Sequence, residues 1–377
     1  MSGHMEEQPA STPFVRLERI EKSWNGAGGV SGLDLEIPRG AFVVLLGPSG
    51  CGKSTTLRLL AGLEAPDRGR IWIDGRDVTA APPAARGLSM VFQSYALFPH
   101  LTVAQNITFG LEVRRMPKAE RKARLAEALD MTELNGLESR KPAELSGGQR
   151  QRVALARAVV AGHSLCLMDE PLSNLDAKLR HTVRQDIRAL QRRLGMTVLY
   201  VTHDQTEAMG MADVIVLMNQ GRIEQVGSPA ELYETPRTVF AATFLGSPPM
   251  ALLPADIVPP TLRAGPLGGR DSLVGVRPEH LRLVPATEGK LCGTVRAVEY
   301  LGADSFVYLT LDGDHEVTLR SAGRVTLTPG ARCGLGWAPE ASHLFERVSG
   351  LRLETGTAPQ DRPGESRRTS QAAPLGG

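Results

Sequence analysis

Residues Gly47-Pro48-Ser49-Gly50-Cys51-Gly52-Lys53-Ser54-Thr55 leave this chain few folds to choose from. They complete the pattern G-x-x-x-x-G-K-[ST], in which glycines let backbone N–H groups turn inward around phosphates. Ahead of them, Phe42-Val43-Val44-Leu45-Leu46 is continuous and apolar, as a strand buried on both faces would be. A helix is expected to open near Lys53, and its N-terminus adds a favourable partial positive charge. In that setting Lys53 is expected to bind β- and γ-phosphates, and the Ser54 hydroxyl to bind Mg²⁺. The competing reading, a Gly-rich turn with a chance lysine, does not account for the strand before it or the helix after it.

Similar apolar runs recur at residues 165–168, 198–201 and 214–217. Between them, 118–134 and 176–194 carry apolar residues at three- and four-residue spacing, the helix pattern. Strands alternating with helices imply a largely parallel sheet covered on both faces, an α/β fold. After Gly246 the texture changes. Pro248, Pro249, Pro254, Pro259 and Pro260 exclude a long helix, and the period becomes two. Residues 305–311 and 316–320 alternate around the turn Asp312-Gly313-Asp314-His315, which reads as a hairpin within a small barrel or sandwich. In this hairpin Phe306 and Tyr308 are expected to face the core.

The 377 residues predict two or three domains. The expected division is a disordered leader at 1–13, a nucleotide-binding domain at 14–246, a β domain at 247–350 and a disordered tail at 351–377. Lys+Arg number 43 against Asp+Glu 41, a balance that argues against a nucleic-acid binder working through a basic surface. No apolar run reaches the length of a membrane span, and the N-terminus lacks the basic and apolar regions of a secretory signal. Four cysteines, Cys51, Cys166, Cys292 and Cys333, lie far apart without metal-ligand spacing and suit a reducing compartment.

Two further segments carry chemistry. Leu165-Cys166-Leu167-Met168-Asp169-Glu170 is an apolar strand ending in two carboxylates. Downstream of a phosphate loop, Asp169 is expected to hold Mg²⁺ and Glu170 to polarise an attacking water. In Leu145-Ser146-Gly147-Gly148-Gln149, Ser146 is a good N-cap and the glycines bare the N–H groups of the helix start, a second anion-binding geometry. Arg150, Arg152 and Arg157 on that helix read as a solvated face.

Taken in order, GPSGCGKST, MVFQSYALFPH, LSGGQRQRVALARA, LCLMDEP, SNLDA and VTHDQTEAM resemble the ATP-binding-cassette superfamily over about residues 14–246. The resemblance implies a P-loop NTPase cassette with a helical subdomain, and it implies roles residue by residue. Trp24, placed just before the first sheet strands, would stack on adenine. Gly47 to Thr55 would bind the phosphates. Gln93 would reach Mg²⁺ or the attacking water, and His203 would hydrogen-bond the γ-phosphate. Ser146, Gly147, Gly148 and Gln149 would cap ATP bound by a second chain, and Asp176 would link the two sites. ATP would therefore drive homodimerisation. Cys51 fits the loop as a small residue, and its thiol is also a candidate for alkylation that blocks ATP.

Residues 274–280 and 298–304 resemble the oligonucleotide-binding-like accessory domain of importer ATPases, and 244–250 resembles the linker of carbohydrate importers. Within that group, the Leu301-Gly302-Ala303-Asp304 form leans toward the sn-glycerol-3-phosphate rather than the maltose branch. The resemblance implies an ATPase at the cytoplasmic face of the inner membrane. Its partners would be two integral-membrane permease subunits and an extracytoplasmic solute-binding protein, with no nucleic acid. Ferric ion, polyamine and phosphonate stay open as alternative solutes, as does a soluble cassette ATPase, although that class carries paired cassettes or a coiled-coil insert.

Overall fold

The computed structural model describes residues 13–24, 27–263, 271–289 and 291–353. Of the leader predicted at 1–13, residues 1–12 lie outside the described residues, as do residues 354–377 of the tail predicted at 351–377. The chain divides into two compact units between Ser247 and Pro248.

The first unit contains strands β1 (Val15–Trp24), β2 (Ala27–Ile37), β3 (Phe42–Leu46), β4 (Arg68–Ile73), β5 (Arg76–Asp77), β6 (Leu88–Val91), β7 (Leu165–Asp169), β8 (Thr197–Thr202), β9 (Val214–Asn219) and β10 (Arg222–Gly227). Its helices are α1 (Lys53–Ala61), α2 (Val103–Val113), α3 (Lys118–Met131), α4 (Gly147–Val160), α5 (Ala177–Leu194), α6 (Gln205–Met211), α7 (Pro229–Glu234) and α8 (Val239–Phe244). A six-stranded sheet runs in the order β10-β9-β3-β8-β7-β6, parallel except at its β10 edge. A separate antiparallel sheet, β2-β1-β4-β5, packs with α1 against one face of it.

The apolar run of β3 needs two cores, and it has them. Val43 and Leu45 point into the cluster shared with α1 and the antiparallel sheet. Phe42, Val44 and Leu46 point into the opposite cluster with Val183 and Ile187 of α5 and Ala208 and Met211 of α6. Each fully buried aliphatic side chain contributes about 1.5–3 kcal/mol, so this strand anchors the sheet that presents the loop after it. A smaller helical layer of α2, α3 and the outer face of α4 closes over Val103, Ile107, Leu129 and Val153.

The antiparallel sheet corrects one sequence reading. Trp24 is the last residue of β1 and pairs with Ala27 at the start of β2; it does not precede the strands. Bulges between Leu17 and Trp24 interrupt the alternation of β1, which hides it from a period-two reading. A buried arginine has no signal in the sequence either. Arg86 donates to the carbonyls of Leu59 (2.7 Å) and Leu60 (2.9 Å), satisfying the end of α1.

The second unit has strands β11 (Ala251–Pro254), β12 (Ser272–Val276), β13 (Arg282–Val284), β14 (Leu291–Tyr300), β15 (Asp304–Leu311), β16 (Glu316–Ala322), β17 (Arg332–Gly336), β18 (Ser342–Glu346) and β19 (Arg352–Leu353). They form antiparallel sheets β11-β12-β18-β19 and β13-β17-β14-β15-β16. The β15–β16 hairpin has the expected strands, but its facing is reversed. Val307, Leu309 and Leu311 fill the core, whereas Phe306 and Tyr308 are only half-buried on the other face. Every residue from Phe306 to Leu309 is apolar or aromatic, so alternation could not choose a face; the core-facing residues of its flanking strands β14 and β16 do. Leu353 of β19 pairs with Leu344, so ordered structure continues past residue 350, where a tail was expected.

Candidate active site

Strands β3, β8 and β7 lie side by side and parallel, with Leu46 opposite Thr202 and Asp169 opposite Val201. The segments that leave their C-terminal ends therefore emerge together: the phosphate loop, the Asp169-Glu170 pair and the His203 turn. Ligands of parallel α/β sheets bind at this edge, because the helix N-termini point to it.

The loop after β3 is built so that only glycine fits at its corners. Gly47 has φ 156°, and a Cβ there would stand 2.2 Å from the Met218 carbonyl oxygen. At Gly52, the N-cap of α1, φ is 103° and a Cβ would meet the Gly29 carbonyl at 2.8 Å. Pro48, Ser49, Gly50 and Cys51 span these corners, and Ser54 and Thr55 follow Lys53 into the first turn of α1. The Lys53 ammonium is buried and donates to the carbonyls of Gly47 (2.8 Å) and Pro48 (2.8 Å). It lies 3.7 Å from the Cys51 sulfur, and that thiol is only 4% exposed.

The Ser54 hydroxyl donates to Asp169 Oδ1 at 3.0 Å. Burial pushes the Asp169 carboxyl above its ordinary range, opposed by that hydrogen bond and by the charges of Arg58 and Lys53. A hydroxyl and a carboxylate oxygen, together with the amide oxygen expected from Gln93, are the hard donors a magnesium ion takes. Among the described residues no three His, Cys, Asp or Glu side chains cluster to cage a metal. Such a donor set fits an ion that completes its shell with phosphate oxygens and water.

Glu170 follows at the strand end with φ 43°, a left-handed conformation that costs a non-glycine residue about 1–3 kcal/mol. Its carboxylate Oε2 lies 3.3 Å from His203 Nδ1, which brings the carboxylate and the imidazole together. Gln93 is exposed and its amide donates to Ser173 Oγ (3.3 Å), while Asn174 donates to the Gln93 carbonyl (3.0 Å). The loop carrying Gln93 is thus tied to the loop after Glu170.

Arg157 holds the other side of that loop. Its guanidinium donates to the carbonyls of Tyr95 (2.7 Å) and Ala96 (2.6 Å), both at positive φ. The expected solvated arginine face is therefore wrong for Arg157. Arg152 also departs from it, lying between Glu133 (2.5 Å) and Asp186 (2.8 Å). Arg150 donates to the Leu145 carbonyl (2.7 Å). Nothing in the local spacing separates a solvated arginine from one that reaches backbone carbonyls sixty residues earlier in the chain.

Trp24 is 44% exposed, with the Lys22 ammonium 5.0 Å from its ring centroid. A cleft of about 480 Å³ lies between the ends of β1 and β2 and the phosphate loop, bounded by Lys22, Ser23, Gly29, Gly50 and Gln220.

Ser146 and Gln149 cap α4 reciprocally: the Gln149 N–H donates to Ser146 Oγ (3.3 Å) and the Ser146 N–H to Gln149 Oε1 (2.8 Å). The glycines of this segment have a packing reason that the sequence did not disclose. A Cβ on Gly148 would stand 2.8 Å from Leu179 Cδ1, and one on Gly147 would stand 3.2 Å from Leu175. Asp176 caps α5 between those leucines by accepting from the Leu179 N–H (2.9 Å). Among the described contacts none joins residues 146–149 to the phosphate loop. The sequence-predicted set therefore falls into two groups in one chain.

A parallel-sheet cassette with a phosphate loop, an acidic strand end and a histidine against its second carboxylate fits an ATP-hydrolysing P-loop protein. Comparison with known proteins agrees. A model of the ABC transporter family matches residues 30–173, and a TOBE domain model matches 274–345. The sn-glycerol-3-phosphate import ATP-binding protein UgpC of Cereibacter sphaeroides is 46% identical over 346 residues, covering 90% of this chain and 99% of that protein. The sulfoquinovosyl glycerol transport ATP-binding protein SmoE of Agrobacterium fabrum is 45% identical over 352 residues, covering 89% and 98%. A dimeric ATP-binding cassette in a post-hydrolysis state with ADP and Pi aligns with TM-score 0.51 at 32% identity, covering 57% of this chain and 98% of that one. The chain belongs to the ABC transporter family, as an ATP-binding subunit of the import type with a C-terminal TOBE domain. It binds and hydrolyses ATP.

Proposed function

We propose that the chain powers import of a small polar solute of the sugar or sn-glycerol 3-phosphate class, by a shared-site ATPase cycle between two copies. The observation that carries the mechanism is the convergence of Lys53, the Ser54–Asp169 pair and the Glu170–His203 pair at one sheet edge.

In this reading the N–H groups of the phosphate loop and the N-terminus of α1 receive the phosphates, the Cys51 N–H turning from the Pro48 carbonyl (3.3 Å) and Lys53 exchanging its loop carbonyls for β- and γ-oxygens. Trp24 stacks on the base. Ser54, Asp169 and Gln93 would hold Mg²⁺, which when bound would neutralise charge on the phosphates. Glu170 takes the proton of the attacking water, and His203 donates to the γ-phosphate and aligns that water. The 3.3 Å contact between them keeps both at the same reacting centre.

Ser146, Gly147, Gly148 and Gln149 close the site of the second copy, and Asp176 sits between the two sites. This division is supported by the likeness to a dimeric ATP-binding cassette. No helix among the described residues is long and apolar enough to cross a membrane. Passage across the membrane falls to two integral-membrane permease subunits, with an extracytoplasmic solute-binding protein delivering solute. The ATPase then acts at the cytoplasmic face of the inner membrane. The solute class rests on the names of the relatives that match nearly end to end.

Glu170→Gln removes the base and keeps the shape. With saturating Mg-ATP this variant should double in mass by light scattering and hydrolyse no ATP. A variant that stays monomeric would refute the shared site. A deletion strain tested with radiolabelled sugars and sn-glycerol 3-phosphate should lose uptake of one of them; unchanged uptake of all would refute the solute class.

A further inference from the structure

We propose that Arg180 is a positioning residue for hydrolysis, tying the turn that carries His203 to the loop that carries Asp176. The inference rests on Glu170 and His203 being the hydrolytic pair.

The His203 side chain is 57% exposed and lies against Glu170, so its placement depends on the backbone that carries it. That backbone is held on both sides. Before it, the buried Thr202 hydroxyl donates to Glu207 Oε2 (2.8 Å) and accepts from the Asp204 N–H (3.0 Å). After it, the Asp204 carboxylate caps α6, accepting from the Thr206 N–H (2.7 Å). Both ties stay within the β8–α6 turn.

Arg180 reaches outside the turn. From the first turns of α5 its Nη2 donates to the Leu175 carbonyl (2.9 Å), and Nη1 lies 3.6 Å from Asp204 Oδ2. Leu175 immediately precedes Asp176. The same guanidinium lines a cavity of about 70 Å³ together with Glu170, His203, Asp204 and Glu207. Among the described residues its Nε is buried without a hydrogen-bond partner, and these two ties are the ones that aim the fork. A planar fork can hold a carbonyl and a carboxylate at once, which a lysine's single ammonium does less well. With Asp176 at the meeting of two copies, seating of the second copy bears on the position of His203 through one side chain.

The alternative is an ordinary surface ion pair, which contributes little to anything. Steady-state hydrolysis by the full chain separates the two. Arg180→Ala should lower kcat about tenfold, the effect of a less well placed His203 at the reacting centre, with affinity for a fluorescent ATP analogue within about twofold. Arg180→Lys should recover about a third of the rate by keeping one tie. Asp204→Asn keeps the helix cap but removes the charge, and it should lower kcat without adding to the loss in Arg180→Ala.

Arg180→Ala at the wild-type rate would overturn the proposal. So would a rate loss that follows lost nucleotide affinity, is not recovered by lysine and adds to that of Asp204→Asn. If Arg180→Ala fails to fold, Asp204→Asn decides: unchanged kcat overturns the proposal, and lowered kcat at unchanged affinity supports it. Glu170→Gln serves as the control. If it retains turnover, the hydrolytic pair itself is misassigned and the proposal falls with it. If it is inactive while Arg180→Ala is not impaired, the proposal alone fails.

Discussion

Tyr200→Phe removes one oxygen from beneath the active site and leaves the packing in place. Tyr200 is fully buried on β8, and its ring, 5.8 Å from that of Phe42, would be retained. The lost hydroxyl donates to Glu207 Oε2 at 2.8 Å, and Glu207 is itself only 4% exposed. A hydrogen bond to a charged group contributes about 1.5–3 kcal/mol, and the carboxylate would keep only the Thr202 hydroxyl. Because only an oxygen is deleted, no cavity cost adds to this, and the net loss should be about 2 kcal/mol. For a unit of this size that corresponds to a Tm lower by about 4–8 °C.

Calorimetry is the suitable assay, since the chain has two compact units and only the transition of the first should move. Burial, followed by the nearby Glu207 carboxylate, raises the Tyr200 phenol well above its ordinary value. The folded state therefore holds that proton more tightly than the unfolded chain does. The wild-type advantage should be constant through neutral pH and narrow above about pH 10, where the unfolded phenol ionises. A Tm within about 1 °C of wild type at pH 7 would refute the reasoning, because Glu207 would then not depend on the phenol.

Lys53→Ala should lower ATP turnover by about a hundredfold or more while the sheet stays folded, as checked by hydrolysis and circular dichroism. Asp169→Asn should abolish turnover yet raise Tm at pH 7. Burial lifts the folded carboxyl above its unfolded value, so the cost of its charge is absent at acid pH and complete above the raised pKa. Thermal scans from pH 3 to 7 should show the two proteins diverging as pH rises. Gly47→Ala places a methyl group 2.2 Å from the Met218 carbonyl, a contact that backbone must relieve. Nucleotide binding by titration should weaken about tenfold or more, with a lower Tm.

Much of the catalytic sheet could be read from local pattern. Four apolar runs appear as β3, β7, β8 and β9, and the Ser146 cap has both halves of its reciprocal pair. The antiparallel sheet at 15–77 was not legible, because bulges break the alternation of β1 and glycines at positive φ interrupt β2. The facing of Phe306 and Tyr308 was reversed for a related reason: a strand apolar on both sides carries no periodic signal for its core face. The arginines were the least legible. Arg86, Arg157 and Arg180 each donate to backbone carbonyls, and a carbonyl belongs to every residue.

The sequence alone determined the chemistry at each strand end, since a phosphate loop, an acidic pair and a capped glycine segment are defined by neighbours within a few residues. Covalent spacing and backbone sterics act at that range. Only the tertiary structure decided which of these segments meet. It set β8 between β3 and β7, which brought Ser54 to Asp169 and Glu170 to His203. It packed Gly147 and Gly148 of the capped segment on Leu175 and Leu179. That selection comes from burying both faces of one sheet, a sum over contacts distant in sequence to which no single motif contributes a readable share.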